Sequence, residues 1–286
     1  MSERGLKILV GKNLLPGLKS HELNFCEHCI YGKQQRVSFM RGFHERKTHI
    51  LELVYSDVCG PINVKSLGGA SYFVTFIDDA SKKVWAYPMK NKGEVFEIFQ
   101  KFHVVVERET NKLLKCLRTN NGGEYCSNAF KNYCNRFGIK HQKTVPGTPQ
   151  KKGTAERMNR TIMENVRSML SNSGLENNFL EEAVSTTCYL INRSPTTSLD
   201  GGIPKEVWIG KKVNYSHLKF FGCEAFVHIP KENRTKLDDK SMSCIFWDMW
   251  MVSLGTVFGI QLKIKLLEAR MLYLMNWKCL NDLQVM

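Results

Sequence analysis

Apolar runs of strand length alternate with helical periodicities through the middle of this 286-residue chain. Four runs that are rich in β-branched and aromatic residues have the length of single strands, and a fifth, shorter run follows them. These predicted strands are Ile50–Val58, Tyr72–Ile77, Val84–Met89, Leu113–Leu117 and Ile139–Thr144. Gly-rich or Asp-rich turns separate the first three, which predicts a meander.

Helical periodicity appears between and after these strands. In the first helical segment, apolar side chains recur at spacings of three and four residues from Val95 to Val106. The predicted helices are Asn91–Thr110, Ser127–Phe137, Gly153–Ser173 and Asn178–Asn192. The order of elements predicts an α/β fold, a mixed five-stranded sheet flanked by helices that resembles ribonuclease H.

Three polar residues stand at an informative spacing on these elements. Asp57 closes the first apolar run, Asn120 follows the fourth, and Glu156 comes after 35 intervening residues, inside the third helix. Two Asp and a Glu at this spacing are the metal-binding pattern of polynucleotidyl transferases. Phosphodiester transfer needs an activated hydroxyl or water and a stabilised alkoxide, and two divalent ions roughly 3.5–4 Å apart supply both. Mg²⁺ prefers carboxylate oxygens in this role.

The middle position of this pattern is an amide in this chain. Asn120 can offer a metal a neutral oxygen but no charge, so the three side chains include two carboxylates. We expect weakened binding of at least one ion and impaired catalysis. Asn121 is not expected to substitute, because successive side chains leave a strand in opposite directions. The alternative is that each acid is a solvated turn residue with no catalytic role.

Composition favours a polyanionic partner. The chain has 41 Lys and Arg against 27 Asp and Glu, a formal net charge of +14, which suggests nucleic acid. Around the third acid, residues 140–170 include a run of cations, for which the alternative is an ordinary solvated helix face. Next to a metal-type Glu, contact with phosphates is the interpretation we favour. The predicted nucleic-acid-binding residues are Lys143, Lys151, Lys152, Arg157, Arg160 and Arg167.

The ten cysteines follow no regular framework, and the charged first ten residues lack the apolar segment of a secretory signal. We therefore expect reduced thiols rather than a disulfide scaffold. Cys26 and Cys29 form half of a zinc knuckle, and a tetrahedral Zn²⁺ site needs two further ligands. The candidates are His21, His28 and His44. Without two of these ligands, the cysteines form a reduced pair with no metal.

Several motifs together resemble the integrase region of copia-type LTR retrotransposon Pol polyproteins. They are FCEHC at 25–29, YSDVCGP at 55–61, YFVTFIDD at 72–79, LRTNNGGEY at 117–125, VPGTPQ at 145–150, AERMNRT at 155–161, CYLINRSP at 188–195 and FFGC at 220–223. The resemblance implies a ribonuclease H-like core that inserts element DNA into a host genome. It puts Asp57, Asn120 and Glu156 at the catalytic, metal-binding positions, where the family has Asp in place of Asn120.

The resemblance also implies Mg²⁺ or Mn²⁺ as the cofactor. Element-end and target DNA are the implied partners, together with a homo-oligomer. It further implies a nuclear location wherever the protein is expressed.

These patterns divide the chain into four predicted segments. They are a truncated pre-integrase zinc-knuckle segment (1–48), the catalytic core (49–175), a helical and strand extension (176–246) and a tail (247–286). The sequence of the tail does not resemble the family, and the similarity ends abruptly before it. Codons can be chosen so that a reading two bases later resembles the family's continuation, which predicts a one-base deletion near codon 247. The alternative is a genuine helix over 260–274, and the uncharged stretch 249–262 is too short to span a bilayer.

Three functional hypotheses follow from these observations. The first is an integrase fragment that folds and binds nucleic acid but has impaired strand transfer because of Asn120. The second is a working enzyme that tolerates the amide as a neutral ligand. The third is a non-enzymatic DNA-binding module retained by the host. Metal-dependent nicking separates the second hypothesis from the others, and steeply salt-dependent DNA binding is expected under all three.

Overall fold

A central five-stranded sheet organises the part of the chain that the computed structural model describes, residues 46–144, 149–229 and 231–247. Its strands are β1 (Val54–Cys59), β2 (Tyr72–Asp78), β3 (Val84–Met89), β4 (Cys116–Thr119) and β5 (Lys140–Lys143). Their order across the sheet is β3, β2, β1, β4, β5. The first three strands are antiparallel, and β4 and β5 run parallel to β1. This mixed sheet confirms the predicted ribonuclease H-like arrangement.

Two helices cover one face of the sheet, α1 (Val95–Thr110) and α2 (Asn128–Arg136). Helix α2 begins after Ser127, whose hydroxyl accepts a backbone N–H from the first turn, as a good N-cap does. The apolar stripe of α1 packs on the sheet mainly through aromatic rings. The rings of Phe76 and Phe102 stack with their centroids 4.2 Å apart. This face is therefore a buried hydrophobic core that is rich in aromatic rings.

Two further helices cover the opposite face, α3 (Pro149–Ser173) and α4 (Leu180–Ile191). Ala155, Ile162 and Val166 of α3 recur at helical spacing and are buried against the sheet. The domain is therefore built in three layers, with the sheet between two pairs of helices. Of the helices in the described ranges, none combines the length and the hydropathy needed to cross a membrane.

The segment after α4 packs onto this domain. A short helix, α5 (Pro204–Ile209), places the indole of Trp208 edge-on against Trp85 of β3, with 4.8 Å between ring centroids. An antiparallel pair of strands follows, β6 (Glu224–His228) and β7 (Ser241–Ile245). Aromatic packing thus attaches α5 to the edge strand of the large sheet.

The first strand differs from its predicted bounds. It begins at Val54 rather than Ile50, because the residues before it form a turn. Leu51 adopts a φ of +64°, and its N–H donates to the buried carboxylate of Asp78 at 2.8 Å. The strand also continues past Asp57, which lies inside β1 instead of closing it.

Two other boundaries move for local reasons. Strand β4 begins at Cys116 rather than Leu113, because the N–H of Leu114 donates to a glutamate side chain of α1 and not to a strand. Helix α3 begins at Pro149, four residues before the predicted Gly153. Proline suits the first turn of a helix, where its missing N–H costs no hydrogen bond.

Strand register brings two distant polar residues side by side. In the parallel pair of β1 and β4, Ser56 lies opposite Thr119. Asp57 and Asn120 are the residues that directly follow these two, so they lie side by side. The antiparallel ladder places Thr75 of β2 opposite Asp57. Because side chains alternate along a strand, Asp57 points away from the aromatic core and toward α3.

Candidate functional site

Asp57, Asn120 and Glu156 converge on one small cavity with a volume of about 20 Å³. The Nδ2 atom of Asn120 donates to Oδ1 of Asp57 at 2.8 Å. Glu156, on an early turn of α3, lines the same cavity and is exposed, whereas the other two side chains are half-buried. The structure therefore brings together the three side chains that the sequence spacing singled out, and their catalytic role stays a prediction.

The orientation of the Asn120 amide is fixed by its second partner. Its Oδ1 atom accepts the backbone N–H of Gly122 at 2.8 Å, which leaves the NH₂ group to face Asp57. If the amide were flipped, its NH₂ group would face the N–H of Gly122 and its oxygen would face the Asp57 carboxylate. The hydrogen bonds therefore allow only one assignment of the amide oxygen and nitrogen. The next residue leaves in another direction, as expected, because Asn121 donates to the carbonyl of Thr144 at 2.8 Å.

A second amide that the sequence interpretation missed also binds Asp57. Asn159 of α3 donates from Nδ2 to Oδ2 of Asp57 at 3.0 Å and accepts the hydroxyl of Thr75 at 2.9 Å. Asn159 is 6% exposed. Its position was a usable signal, since it falls between Ala155 and Ile162 on the buried stripe of the helix, where an apolar residue would be ordinary.

Both oxygens of the Asp57 carboxylate thus accept amide hydrogens, from two elements far apart in sequence. Burial raises the pKa of Asp57 from its ordinary 3.8 to about 6, and the negative charge of Glu156 acts in the same direction. The backbone N–H of Val58 and the two amides stabilise the charged form and oppose the rise. The net effect is a pKa above the ordinary value of an aspartate.

The arrangement does not fit a pair of divalent ions as it stands. A cation seeks anionic oxygens, but the Asp57 oxygen nearest Asn120 already receives an N–H, and an ion placed there would meet the amide hydrogens. Within the described ranges, no group of three or more His, Cys, Asp or Glu is placed to hold a metal ion. An aspartate at position 120 would repel the Asp57 carboxylate unless a cation lay between them. The amide of Asn120 needs no such cation.

Four of the predicted nucleic-acid-binding residues have side chains that the structure describes. Lys143 is the last residue of β5, and Arg157, Arg160 and Arg167 project from α3; all four are exposed. The Lys143 ammonium lies 3.0 Å from the Cys126 sulfur. The three arginines lie on the helix that carries Glu156, whereas Lys143 alternates with Gln142 along β5 and points to the other face of the sheet.

The remaining predicted site residues have side chains outside the part of the chain that the structure describes. The side chains of Lys151 and Lys152, and the whole of Cys26 and Cys29 with the proposed zinc ligands, lie outside the described residues. The zinc-knuckle hypothesis therefore stays a prediction.

Comparison with protein families finds three matches along the chain. Residues 48–149 match the integrase core domain, which spans β1 to β5. Residues 1–34 match the GAG-pre-integrase domain, and residues 223–247 match the retroviral polymerase SH3-like domain.

Two plant proteins are similar over most of the chain. A retrovirus-related Pol polyprotein from transposon TNT 1-94 of Nicotiana tabacum is 60% identical over 246 residues, which are 86% of this chain and 18% of the relative. A retrovirus-related Pol polyprotein from transposon RE2 of Arabidopsis thaliana is 34% identical over 242 residues, 84% of this chain and 16% of the relative. The chain thus spans less than a fifth of the length of these relatives.

A solved structure shares the fold. A chain of the simian T-cell lymphotropic virus intasome, determined in complex with PP2A regulatory subunit B56 gamma, superposes with a TM-score of 0.54 at 16% identity. The match covers 86% of this chain and 88% of that chain.

Proposed function

We propose, from the premise that this chain belongs to the integrase core region of copia-type retrotransposon Pol polyproteins, that it is a nucleic-acid-binding integrase module with impaired strand transfer. Element-end and target DNA are its proposed partners, in a homo-oligomer. The observation that carries the impairment is the hydrogen bond from Asn120 to Asp57 at 2.8 Å. This hydrogen bond stabilises the Asp57 carboxylate without a metal ion. Three carboxylates at these positions would repel one another unless cations were bound between them.

The cavity therefore keeps polar side chains that can bind and orient a ligand. Because position 120 is an amide, it has one negative charge fewer than three carboxylates would supply. Asp57 is held between two amides, so its carboxylate has a fixed direction. Glu156 remains exposed at the rim and can accept a hydrogen bond. With Asp at position 120, this cluster would resemble the donor set that holds Mg²⁺ or Mn²⁺ and activates a hydroxyl for phosphodiester attack.

The test is to restore the carboxylate. Wild type and Asn120→Asp are assayed for nicking and strand transfer on duplex DNA across a titration of Mg²⁺ and of Mn²⁺. The restored variant is expected to gain metal-dependent activity by about 100-fold or more, the scale of an electrostatic contact at a reacting centre. Equal activity of the two proteins at every metal concentration would contradict the proposal.

Asn121→Asp is the matched control. It makes the same chemical change one residue away, on a side chain that bonds the Thr144 carbonyl and does not touch Asp57. It is expected to leave activity at the wild-type level. The double variant Asp57→Ala, Asn120→Asp is expected to lose the gain, which shows that the activity comes from this cavity and not from a contaminating nuclease.

A non-enzymatic DNA-binding module is the second candidate, favoured because both oxygens of the Asp57 carboxylate accept hydrogen bonds from neutral amides. Exposed cations on α3 would still bind DNA phosphates. Under this hypothesis, wild type binds DNA with strong salt dependence, and Asn120→Asp gains no activity. The metal titration therefore decides between the two candidates.

A further inference from the structure

A cluster of basic side chains lies where the end of α4 meets β3, the strand at the edge of the sheet. Asn192 joins these elements, because its side-chain amide exchanges two hydrogen bonds of 2.7 Å with the backbone of Val84. Arg193 follows directly, and the backbone N–H of Lys205 donates to the Asn192 carbonyl at 2.8 Å. The cluster therefore has a fixed backbone, and strand β2 separates it in the sheet from Asp57 of β1.

Three basic side chains of this cluster surround the ring of Tyr189. The Arg193 guanidinium carbon lies 3.2 Å from the ring centroid, and the Lys205 ammonium lies 6.0 Å from it. The Nε2 atom of His217 is hydrogen-bonded to the Tyr189 hydroxyl. Arg193 is 5% exposed, whereas Lys205 and His217 are partly exposed. The cluster thus combines one buried cation with two basic side chains that solvent reaches.

The charge of Arg193 is not balanced by a carboxylate of the described residues. Its Nη1 atom donates to the Tyr189 carbonyl at 3.2 Å, and its Nε atom has no hydrogen-bond partner in that part of the chain. Burial lowers the pKa of Arg193, and the groups that oppose this shift are Tyr189 and Tyr215. Buried charges are ordinarily paired, because an unpaired one is costly. This arginine therefore indicates an anion that comes from outside the chain.

The positive charge acts on the neighbouring side chains. Burial lowers the pKa of Lys205 and of His217, and the charge of Arg193 lowers both further. Glu109 of α1 raises the pKa of Lys205, but its carboxylate lies 3.3 Å from the Lys83 ammonium and compensates that lysine. The Glu109 side chain is also 45% exposed, so solvent screens its charge. Within the described residues, Arg193 and Lys205 therefore have no acid of their own.

The number of unbalanced charges selects the chemical class of the anion. A carboxylate or a backbone phosphodiester supplies one negative charge, whereas a phosphate monoester supplies about −1.5 to −2 at pH 7. The donors also suit phosphate oxygens. Lys205 offers an ammonium, and when the Tyr189 hydroxyl donates to Nε2 of His217, the imidazole proton is on Nδ1 and can be donated to a ligand. A phosphate with two negative charges matches both the charge and the donors.

We propose that Arg193, Lys205 and His217 form a binding site for a doubly charged phosphate group, either inorganic phosphate or a phosphate monoester. Lys205 and His217 contact the phosphate oxygens, and the buried Arg193 attracts them through its charge. The site is separate from the Asp57 cavity and does not depend on the proposed function, because its ligand is not the diester backbone of DNA.

The test measures binding of three phosphates to the full chain by isothermal titration calorimetry at pH 8, with ionic strength held constant by chloride. Inorganic phosphate is the first ligand, adenosine monophosphate is the monoester, and dimethyl phosphate is the singly charged diester. The first two are expected to bind with similar affinity. Dimethyl phosphate is expected to bind about 10-fold more weakly, because it has one charge fewer to pair with the cations.

Two variants locate the site. Lys205→Gln removes a partly exposed charged donor and is expected to weaken phosphate binding about 10-fold. Arg193→Met keeps an unbranched side chain without the charge and is expected to weaken it at least as much. Lys131→Gln is the matched control, because it removes the same charge from an exposed position on α2. It is expected to bind phosphate as wild type does.

An NMR titration of the imidazole adds a second readout, with His217→Gln to assign the resonance. Saturating phosphate is expected to raise the pKa of His217, because a nearby dianion stabilises the imidazolium. A tyrosine stack that is only structural would leave this pKa unchanged by phosphate.

Three results would overturn the proposal. Equal binding of inorganic phosphate and dimethyl phosphate would show a surface that attracts any anion. Binding of adenosine monophosphate alone would show recognition of the nucleoside. Phosphate affinity that is unchanged in Lys205→Gln would place the ion elsewhere, and this partly exposed position decides the matter if thermal unfolding shows that Arg193→Met does not fold.

Discussion

Two aspartates on neighbouring strands, one half-buried and one fully buried, are satisfied in different ways. Asp78, at the end of β2, accepts the backbone N–H of Leu51, the backbone N–H of Ser81 and the Ser81 hydroxyl, all within 2.7–2.8 Å. Asp57, inside β1, accepts N–H groups from two side-chain amides, Asn120 directly after β4 and Asn159 of α3. Burial is the largest cause of a raised pKa at both carboxyl groups.

The difference separates a structural carboxylate from a candidate functional one. Backbone donors at Asp78 exist whatever the neighbouring side chains are, and they tie a turn to the strand before it. Two of the donors at Asp57 are side-chain amides, beside the backbone N–H of Val58, so a single substitution can replace one of them with a metal ligand. Asp57 also faces a cavity, whereas Asp78 is 0% exposed. A carboxylate that depends on exchangeable partners beside a cavity is the better candidate for chemistry.

The largest predicted effect is on the structural aspartate. Asp78→Ala leaves three buried donors without an acceptor and is expected to lower the free energy of unfolding by about 3–5 kcal/mol. Asp57→Ala leaves two amides beside a cavity that water can enter, and is expected to cost about 1 kcal/mol. Urea unfolding followed by tryptophan fluorescence measures both. If the two variants lose equal stability, the distinction drawn between the aspartates is wrong.

The second predicted effect concerns the donor at Asp57. Asn120→Asp replaces an N–H···O contact with two facing carboxylates, and is expected to cost about 2 kcal/mol of unfolding free energy at pH 7.5 without metal. At pH 5 the two carboxyl groups can share a proton, so most of this loss is expected to disappear. Millimolar Mg²⁺ should restore stability in proportion to the logarithm of its concentration.

Wild type and Asn121→Asp are the controls for that measurement. Neither is expected to gain stability from Mg²⁺, because neither has a new carboxylate against Asp57. An equal Mg²⁺-dependent shift in all three proteins would show that the ion acts elsewhere.

The third predicted effect is the pH dependence that Asp57 contributes. Its pKa in the folded protein is about 6, above the ordinary 3.8, so the folded state binds a proton that the unfolded chain does not hold between these values. Stability relative to Asp57→Ala should therefore rise as pH falls from about 6 to about 4, and be lost as pH rises through 6. We expect about 1 kcal/mol, since Asp57 is partly exposed and solvent screens its charge. A flat difference between the two proteins from pH 4 to 7 would contradict the raised pKa.

Features that depend on local sequence were predictable here. The period-two and period-3.6 patterns predict the five strands and four of the helices because burial imposes them residue by residue. Asp57, Asn120 and Glu156 were singled out for another reason, because their spacing matches the metal-binding pattern of polynucleotidyl transferases, and the three residues line one cavity. Asn159 was missed because only the apolar residues of the buried helix stripe were considered, and not the polar residue among them.

Features that depend on distant partners were not predictable. Leu51 takes a left-handed φ and its N–H reaches the Asp78 carboxylate 27 residues later, so the start of β1 could not be placed from the apolar run. The six residues of α5 are too few to show a helical period, and Trp208 fixes them by packing on Trp85. The direction of the Asn120 amide likewise needs the N–H of Gly122, which only the folded loop supplies.

The smallest predicted effect tests whether Asp57 marks a ligand-facing surface. Arg160 is exposed on α3, one turn after Glu156, and Lys101 is exposed on α1 across the sheet, where it pairs with Glu97 at 2.7 Å. If DNA lies over the Asp57 cavity, Arg160→Ala should weaken binding a few-fold and reduce the slope of log affinity against log salt by about 1. Lys101→Ala should change neither, because its charge is remote from the cavity and already compensated. A common salt slope for wild type and Arg160→Ala, or an equal reduction in the Lys101 variant, would place the nucleic acid elsewhere.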